Sequence, residues 1–236
     1  MKIINLISGP RNISTALMYS FGQRPDTTVF DEPFYAIYLK KTGVNHPGRE
    51  EVLQCQSDNE QEVRAMIAAS STPVVFVKNM AHHMEVLQEP VIPDSVNLFL
   101  IRNPKQIIAS YAQVIQSPVM RDIGIEYQYQ LFQKLKAEKK KTILIDSGLI
   151  LENPDAVLKK VCEQCGIEFD PSMLHWESGP KAFDGVWAKH WYSNVHNSIG
   201  FEKQKTSERP LPDSLKPLCV QANSYYEKLL PICLKA

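Results

Sequence analysis

At 236 residues the chain is long enough for one substantial hydrophobic core, and a single domain over residues 1–236 is expected. Twenty-six basic and 26 acidic side chains cancel, which excludes a net field drawing the molecule onto nucleic acid or a membrane; an anion site has to be local. Apolar residues at 44% and charged residues at 22% match a soluble globular protein.

The first predicted element is a strand, Lys2–Ile7, too short to be a signal peptide or a membrane span. It runs into Ser8-Gly9-Pro10-Arg11-Asn12-Ile13-Ser14-Thr15 and a helical pattern over 12–22. Further apolar runs at Thr27–Phe30, Pro73–Val77, Val96–Ile101 and Thr142–Ile145 predict four more strands. Helical patterns near 60–70, 82–88, 104–116, 121–140 and 154–165 lie between or after them. This alternation predicts a three-layer α/β/α fold around a mostly parallel sheet of about five strands. Asn103-Pro104 and Asn153-Pro154 are helix starts, with Asn as cap and Pro at the first helical position, and Gly166 closes the second helix. Beyond residue 170 the pattern weakens. Residues 178–209 read as a long excursion carrying Trp187, Lys189, His190, Trp191 and Tyr192, expected either to wall or cover the site or to anchor the C-terminal third to the core; a last helix falls near 213–230.

Ligands of open parallel sheets bind beyond the carboxyl ends of the strands. There the sequence places Ser8–Thr15, then Asp31-Glu32-Pro33, then Lys78 to His83, then Arg102-Asn103-Pro104. Three cations and an acid at four strand ends predict a site for a small polyanion beside a proton acceptor. The first loop is suited to a phosphate by physics alone: helix N-terminal N–H groups, the hydroxyls of Ser14 and Thr15, and the planar charge of Arg11. It lacks the Gly-Lys-Ser/Thr ending of nucleotide triphosphatases.

The stretch Asn97 to Tyr111, with Arg102-Asn103-Pro104 and Ser110 eight residues after Arg102, resembles the segment with which sulfotransferases hold the 3′-phosphate of 3′-phosphoadenosine 5′-phosphosulfate. Pro10-Arg11-Asn12-Ile13-Ser14-Thr15 resembles the same family's 5′-phosphosulfate loop, with Asn12 for the usual Ser and Ile13 for the usual Gly. A third stretch, residues 143–154 and 162–166, resembles the family's strand, Glu-Asn-Pro and helix, but Asp146-Ser147-Gly148 departs from it and carries no binding residue over.

The resemblance implies a P-loop-like fold and a sulfotransferase that uses this donor and no metal; five cysteines with no export signal read as reduced thiols of a cytoplasmic chain. It further implies Arg11, Asn12, Ser14 and Thr15 at the 5′-phosphosulfate, and Arg102 and Ser110 at the 3′-phosphate. Lys78 would contact the sulfuryl group. The general base is open between Glu32, His82 and His83. A small-molecule or glycan hydroxyl or amine would be the acceptor, with no nucleic-acid or membrane partner. The alternatives are a nucleotide kinase of the same fold and a non-catalytic nucleotide-binding protein. Cys162 and Cys165 lie on one apolar helical stripe with Val157, Leu158 and Val161, and read as reduced core thiols.

Overall fold

The computed structural model describes residues 1–115, 117–202 and 209–235. Five strands, β1 (Lys2–Ser8), β2 (Thr27–Asp31), β3 (Val74–Met80), β4 (Val96–Ile101) and β5 (Thr142–Asp146), form one sheet in the order β2-β3-β1-β4-β5. Every pairing is parallel, so the connections cross over through helices on the two faces. Alternate residues of β1 feed opposite cores: Ile4 and Leu6 pack on one side of the sheet, Ile3 and Ile7 on the other. Burial on both faces explains why the strands are continuously apolar.

All five expected strands form, β1, β2, β3 and β5 running one to three residues further at their carboxyl ends. The expected helices appear as α1 (Ser14–Gly22), α4 (Glu60–Ala68), α5 (Ala81–Met84), α6 (Pro104–Tyr111), α10 (Pro154–Cys165) and α13 (Lys216–Leu229). Asn103 accepts from the Lys105 N–H and Asn153 from the Ala156 N–H, the caps their Asn-Pro pairs predicted. The helix expected over 121–140 is broken into α7 (Met120–Ile123) and α8 (Ile125–Ala137). Gly124 sits between them at φ 75°, a conformation that costs glycine nothing. The end of the helix expected over 104–116 includes residue 116, which lies outside the described residues.

Three helices were not expected: α2 (Tyr35–Thr42), α3 (Arg49–Cys55) and α9 (Ser147–Glu152). Two further short helices, α11 (Ala188–Trp191) and α12 (Ser193–His196), order part of the excursion over 178–209, while 203–208 lie outside the described residues. No helix among the described residues is long and apolar enough to cross a membrane. Cys162 and Cys165 are buried free thiols, pushed up to about 11 and about 12 by burial, as their apolar stripe predicted.

The parallel register brings the functional strand ends level. Ser8 stands opposite Met80 on one side and Leu100 on the other, and Asp31 stands opposite Lys78. The loop after β1 is held close: a Cβ on Gly9 would lie 2.5 Å from the carbonyl oxygen of Ile123, so only glycine fits there.

Candidate active site

A cavity of about 590 Å³ opens at the carboxyl ends of β1, β2, β3 and β4. Its wall contains Arg11, Asn12, Ser14 and Thr15 from the loop after β1, and Arg102 and Ser110 from the β4–α6 segment. It also contains Glu32, Lys78, His82 and His83. The ten residues singled out from sequence therefore share one site.

At one end the loop after β1 and the β4–α6 segment are joined. Arg11 Nε donates to Ser110 Oγ at 2.9 Å, and Arg102 Nη1 donates to the Arg11 carbonyl at 2.8 Å. A second Arg102 donor, Nε, is held by Gln106 Oε1 at 2.9 Å. Asn12 does not face a ligand with its amide: Nδ2 donates to the Leu100 carbonyl at 2.5 Å and ties the loop to β4. Helix α1 starts without a side-chain cap, its first intrahelical bond running from Leu17 N–H to the Ile13 carbonyl. That end of the helix, the positive end of its dipole, lies where Ser14 and Thr15 line the cavity.

Two residues of this loop adopt left-handed backbone, Arg11 at φ 54° and Ile13 at φ 50°. A β-branched residue there is strained by roughly 1–3 kcal/mol. The loop thus retains at Ile13 a backbone suited to glycine. Burial lowers the guanidinium of Arg11, with Arg209 adding repulsion, and burial lowers that of Arg102, with Arg11 adding repulsion. Crowded like charges of this kind are relieved by a bound anion.

The other end is a buried polar cluster. Lys78 Nζ donates to Asp31 Oδ1 at 2.9 Å, to Tyr192 Oη at 2.8 Å, and to Glu32 Oε1. Tyr192 Oη in turn lies 2.8 Å from Asp31 and accepts from Trp187 Nε1 at 3.1 Å. Strand alternation alone would send Asp31 and Glu32 to opposite faces. Glu32 at φ 43° breaks that alternation and turns both carboxylates onto Lys78. Burial raises Glu32; Lys78 opposes and Asp31 adds to the rise. For Lys78 burial pulls downward, but the two carboxylates outweigh it and the ammonium is held above its usual range. Two carboxylates against one ammonium are balanced when Glu32 carries a proton, so this site favours proton uptake by Glu32.

The imidazoles are neutral. Burial pushes His82 down to about 3, and burial with the neighbouring His82 and His46 pushes His83 well below its usual value. His83 stacks on Tyr35 at 4.4 Å, and its Nδ1 lies 3.6 Å from Glu32 Oε2, beyond hydrogen-bond reach. Tyr35 and His46 also line the cavity, bonded to each other through Tyr35 Oη and His46 Nδ1 at 2.9 Å.

The aromatic segment divides. Trp187 and Tyr192 are buried against the cavity, and Trp191 stacks on Tyr111 at its rim. Lys189 and His190, expected in the same wall, face outward. Lys189 pairs with Glu51, and His190 is exposed beside Gly48. A four-residue helix turns adjacent side chains through about 100° each, which separates these cations from the rings beside them. Lys78 also differs from its expected use, because its three N–H donors are all directed to protein acceptors. Arg209 was missed. The sequence placed Tyr192 in the aromatic wall but gave no sign of its hydroxyl's partners, and Asp31, visible beside Glu32, was given no role.

Comparison with known proteins bears on the family and the fold. A sequence profile for the family described as "Sulfotransferase domain" matches residues 1–230. Among characterised sequences, branched-chain-amino-acid aminotransferase-like proteins 1 and 2 of Arabidopsis thaliana are 36% and 34% identical, over 89% and 90% of this chain. The chain spans only 38% of the length of those relatives. Among solved structures, the sulfotransferase domain of the Synechococcus PCC 7002 olefin synthase superposes with a TM-score of 0.63 at 14% identity, covering 96% of this chain and 94% of that one. A sulfotransferase from Alicyclobacillus acidocaldarius gives 0.57 at 14% identity, covering 99% and 98%. At such identities the superpositions carry the fold alone.

Proposed function

The chain belongs to the sulfotransferase family, and from that premise we propose that it moves a sulfuryl group from 3′-phosphoadenosine 5′-phosphosulfate to a hydroxyl or amine of a small-molecule acceptor. It is an enzyme of the sulfotransferase class. The observation that carries the donor assignment is the joined pair of cationic segments. Arg102 grips the Arg11 carbonyl while Arg11 grips Ser110, so the 5′ and 3′ sites form one cradle. A donor with phosphate at both positions uses all of it, whereas ADP uses half.

In this reading the uncapped start of α1, with Ser14 and Thr15, holds the 5′-phosphate. Arg102 and Ser110 hold the 3′-phosphate. The acceptor oxygen or nitrogen bonds to sulfur as the bond from sulfur to the bridging oxygen of the phosphate breaks. Arg11 stabilises the charge that collects on that leaving phosphate. The acceptor's proton passes to Glu32. That carboxylate is the better base because burial raises it toward neutrality, while His82 and His83 are held too low to retain a proton near pH 7. Lys78 acts on Glu32 and does not reach for the sulfuryl group. The acceptor occupies the end of the cavity lined by Tyr35, His46, Tyr111 and Trp187.

Titration calorimetry with 3′-phosphoadenosine 5′-phosphate and with ADP tests this reading. The 3′-phosphorylated nucleotide is expected to bind more tightly; equal affinities contradict the donor assignment.

A further inference from the structure

The polar cluster behind Glu32 contains a residue that the sequence placed only in an aromatic wall. Tyr192 stands 160 residues from Glu32 in sequence, in the segment that wraps back over the sheet. Its hydroxyl is fully used: it accepts from Lys78 Nζ at 2.8 Å and from Trp187 Nε1 at 3.1 Å, and donates to Asp31 at 2.8 Å. Asp31 is anchored from the same segment, its Oδ2 accepting from the Gly185 N–H at 3.0 Å. Tyr192 and Asp31 together occupy two of the three Lys78 donors and leave one, which meets Glu32 Oε1. Lys78 is 1% exposed, and its ammonium is held by these three protein acceptors. Glu32 Oε2 has no hydrogen bond among the described residues.

We propose that Tyr192 is a positioning residue of the active centre: with Asp31 it fixes Lys78 on Oε1 of Glu32, so that Oε2 is the oxygen presented to the acceptor's proton. This rests on the sulfotransferase reading with Glu32 as base. The C-terminal segment thereby completes the base as well as walling the cavity. The groups facing Glu32 are Asp31 and Tyr35 from its own stretch, Lys78 and His83 from β3 and α5, Tyr111 from α6, and Tyr192. Tyr35, Tyr111 and His83 are neutral, so Lys78 and Asp31 set the charge that Glu32 feels.

Two substitutions should move the Glu32 titration in opposite directions. Tyr192→Phe removes a donor to Asp31 and an acceptor from Lys78; Lys78 shifts toward Asp31, and Glu32 becomes easier to protonate. Asp31→Asn removes the neighbouring carboxylate and leaves Lys78 to Glu32, which becomes harder to protonate. The titration is read by NMR on protein labelled with 13C at the glutamate carboxyls, with Glu32→Gln identifying the resonance. The midpoint is expected to rise by roughly half a pH unit or more in Tyr192→Phe and to fall in Asp31→Asn. Release of 3′-phosphoadenosine 5′-phosphate from the donor should slow about tenfold in Tyr192→Phe, with the donor KM unchanged. If Tyr192→Phe fails to fold, Trp187→Phe replaces it; it removes the N–H that anchors the phenol and should give a smaller upward shift. An unmoved Glu32 midpoint, or shifts of the same sign in both variants, overturns the proposal. The titration needs no turnover, so its failure leaves the donor reading, tested separately by nucleotide affinity, in place.

Discussion

Replacing Arg102 by Ala should weaken binding of 3′-phosphoadenosine 5′-phosphate far more than binding of ADP. The magnitude follows from the guanidinium's five N–H donors. One is committed to Gln106 and one to the Arg11 carbonyl, which leaves three for the 3′-phosphate that the proposed donor would bring. Two charge-assisted bonds to phosphate contribute about 1.5–3 kcal/mol each. Arg102 is half-buried, so solvent screening reduces the total to about 2–4 kcal/mol, or roughly 30- to 1,000-fold in Kd. ADP lacks the 3′-phosphate and senses only the lost support of the Arg11 carbonyl, a partly screened bond from a charged donor worth about 1–2 kcal/mol. Calorimetry of both nucleotides against both proteins isolates the difference, provided thermal melts show the variant folded. Equal losses for the two nucleotides would refute the reasoning, because Arg102 would then be supporting the loop and not reading the 3′-phosphate.

Arg11→Ala should lower kcat at saturating donor more than it lowers donor affinity, since its interaction grows as charge moves to the leaving phosphate; unchanged kcat would remove it from the transition state. Ile13→Gly should stabilise the fold by about 1 kcal/mol, read as a higher unfolding midpoint, because the loop already holds φ 50° there and loses the Cβ penalty; a lower midpoint would show that the Ile13 side chain supports the loop. Activity should rise with pH through a midpoint above that of an ordinary glutamate, because Glu32 acts ionised and its folded-state value is raised. The same raised group favours the protonated fold, so stability should fall slightly across that window while activity climbs. An acid limb in the ordinary carboxylate range would remove Glu32 from the role of base.

The parts of this account that sequence revealed are those with local causes. Continuous apolar runs marked strands buried on both faces and Asn-Pro pairs marked capped helix starts, whereas Ser110 was reached through the resemblance of Asn97 to Tyr111 to a sulfotransferase segment and not through spacing. Helix α2 escaped because Tyr35 to Leu39 are buried without interruption, leaving no apolar stripe to recognise. Helix α3 escaped for the opposite reason, with Val52 its one buried residue. The site's polar cluster depends on facts that spacing does not encode. Glu32 reaches Lys78 through a left-handed turn that cancels strand alternation, and Tyr192 arrives from the other end of the chain. Lys78 was visible as a cation at a strand end, but its partners were not, so its direction was misjudged.

The most direct test of the central claim is transfer of label from 35S-labelled 3′-phosphoadenosine 5′-phosphosulfate to a panel of alcohols, phenols and amines. The account predicts labelled product together with 3′-phosphoadenosine 5′-phosphate, lost in Glu32→Gln although that variant still binds the nucleotide. Tight nucleotide binding with no label transfer and no donor cleavage would contradict it and identify a nucleotide-binding protein on a sulfotransferase fold.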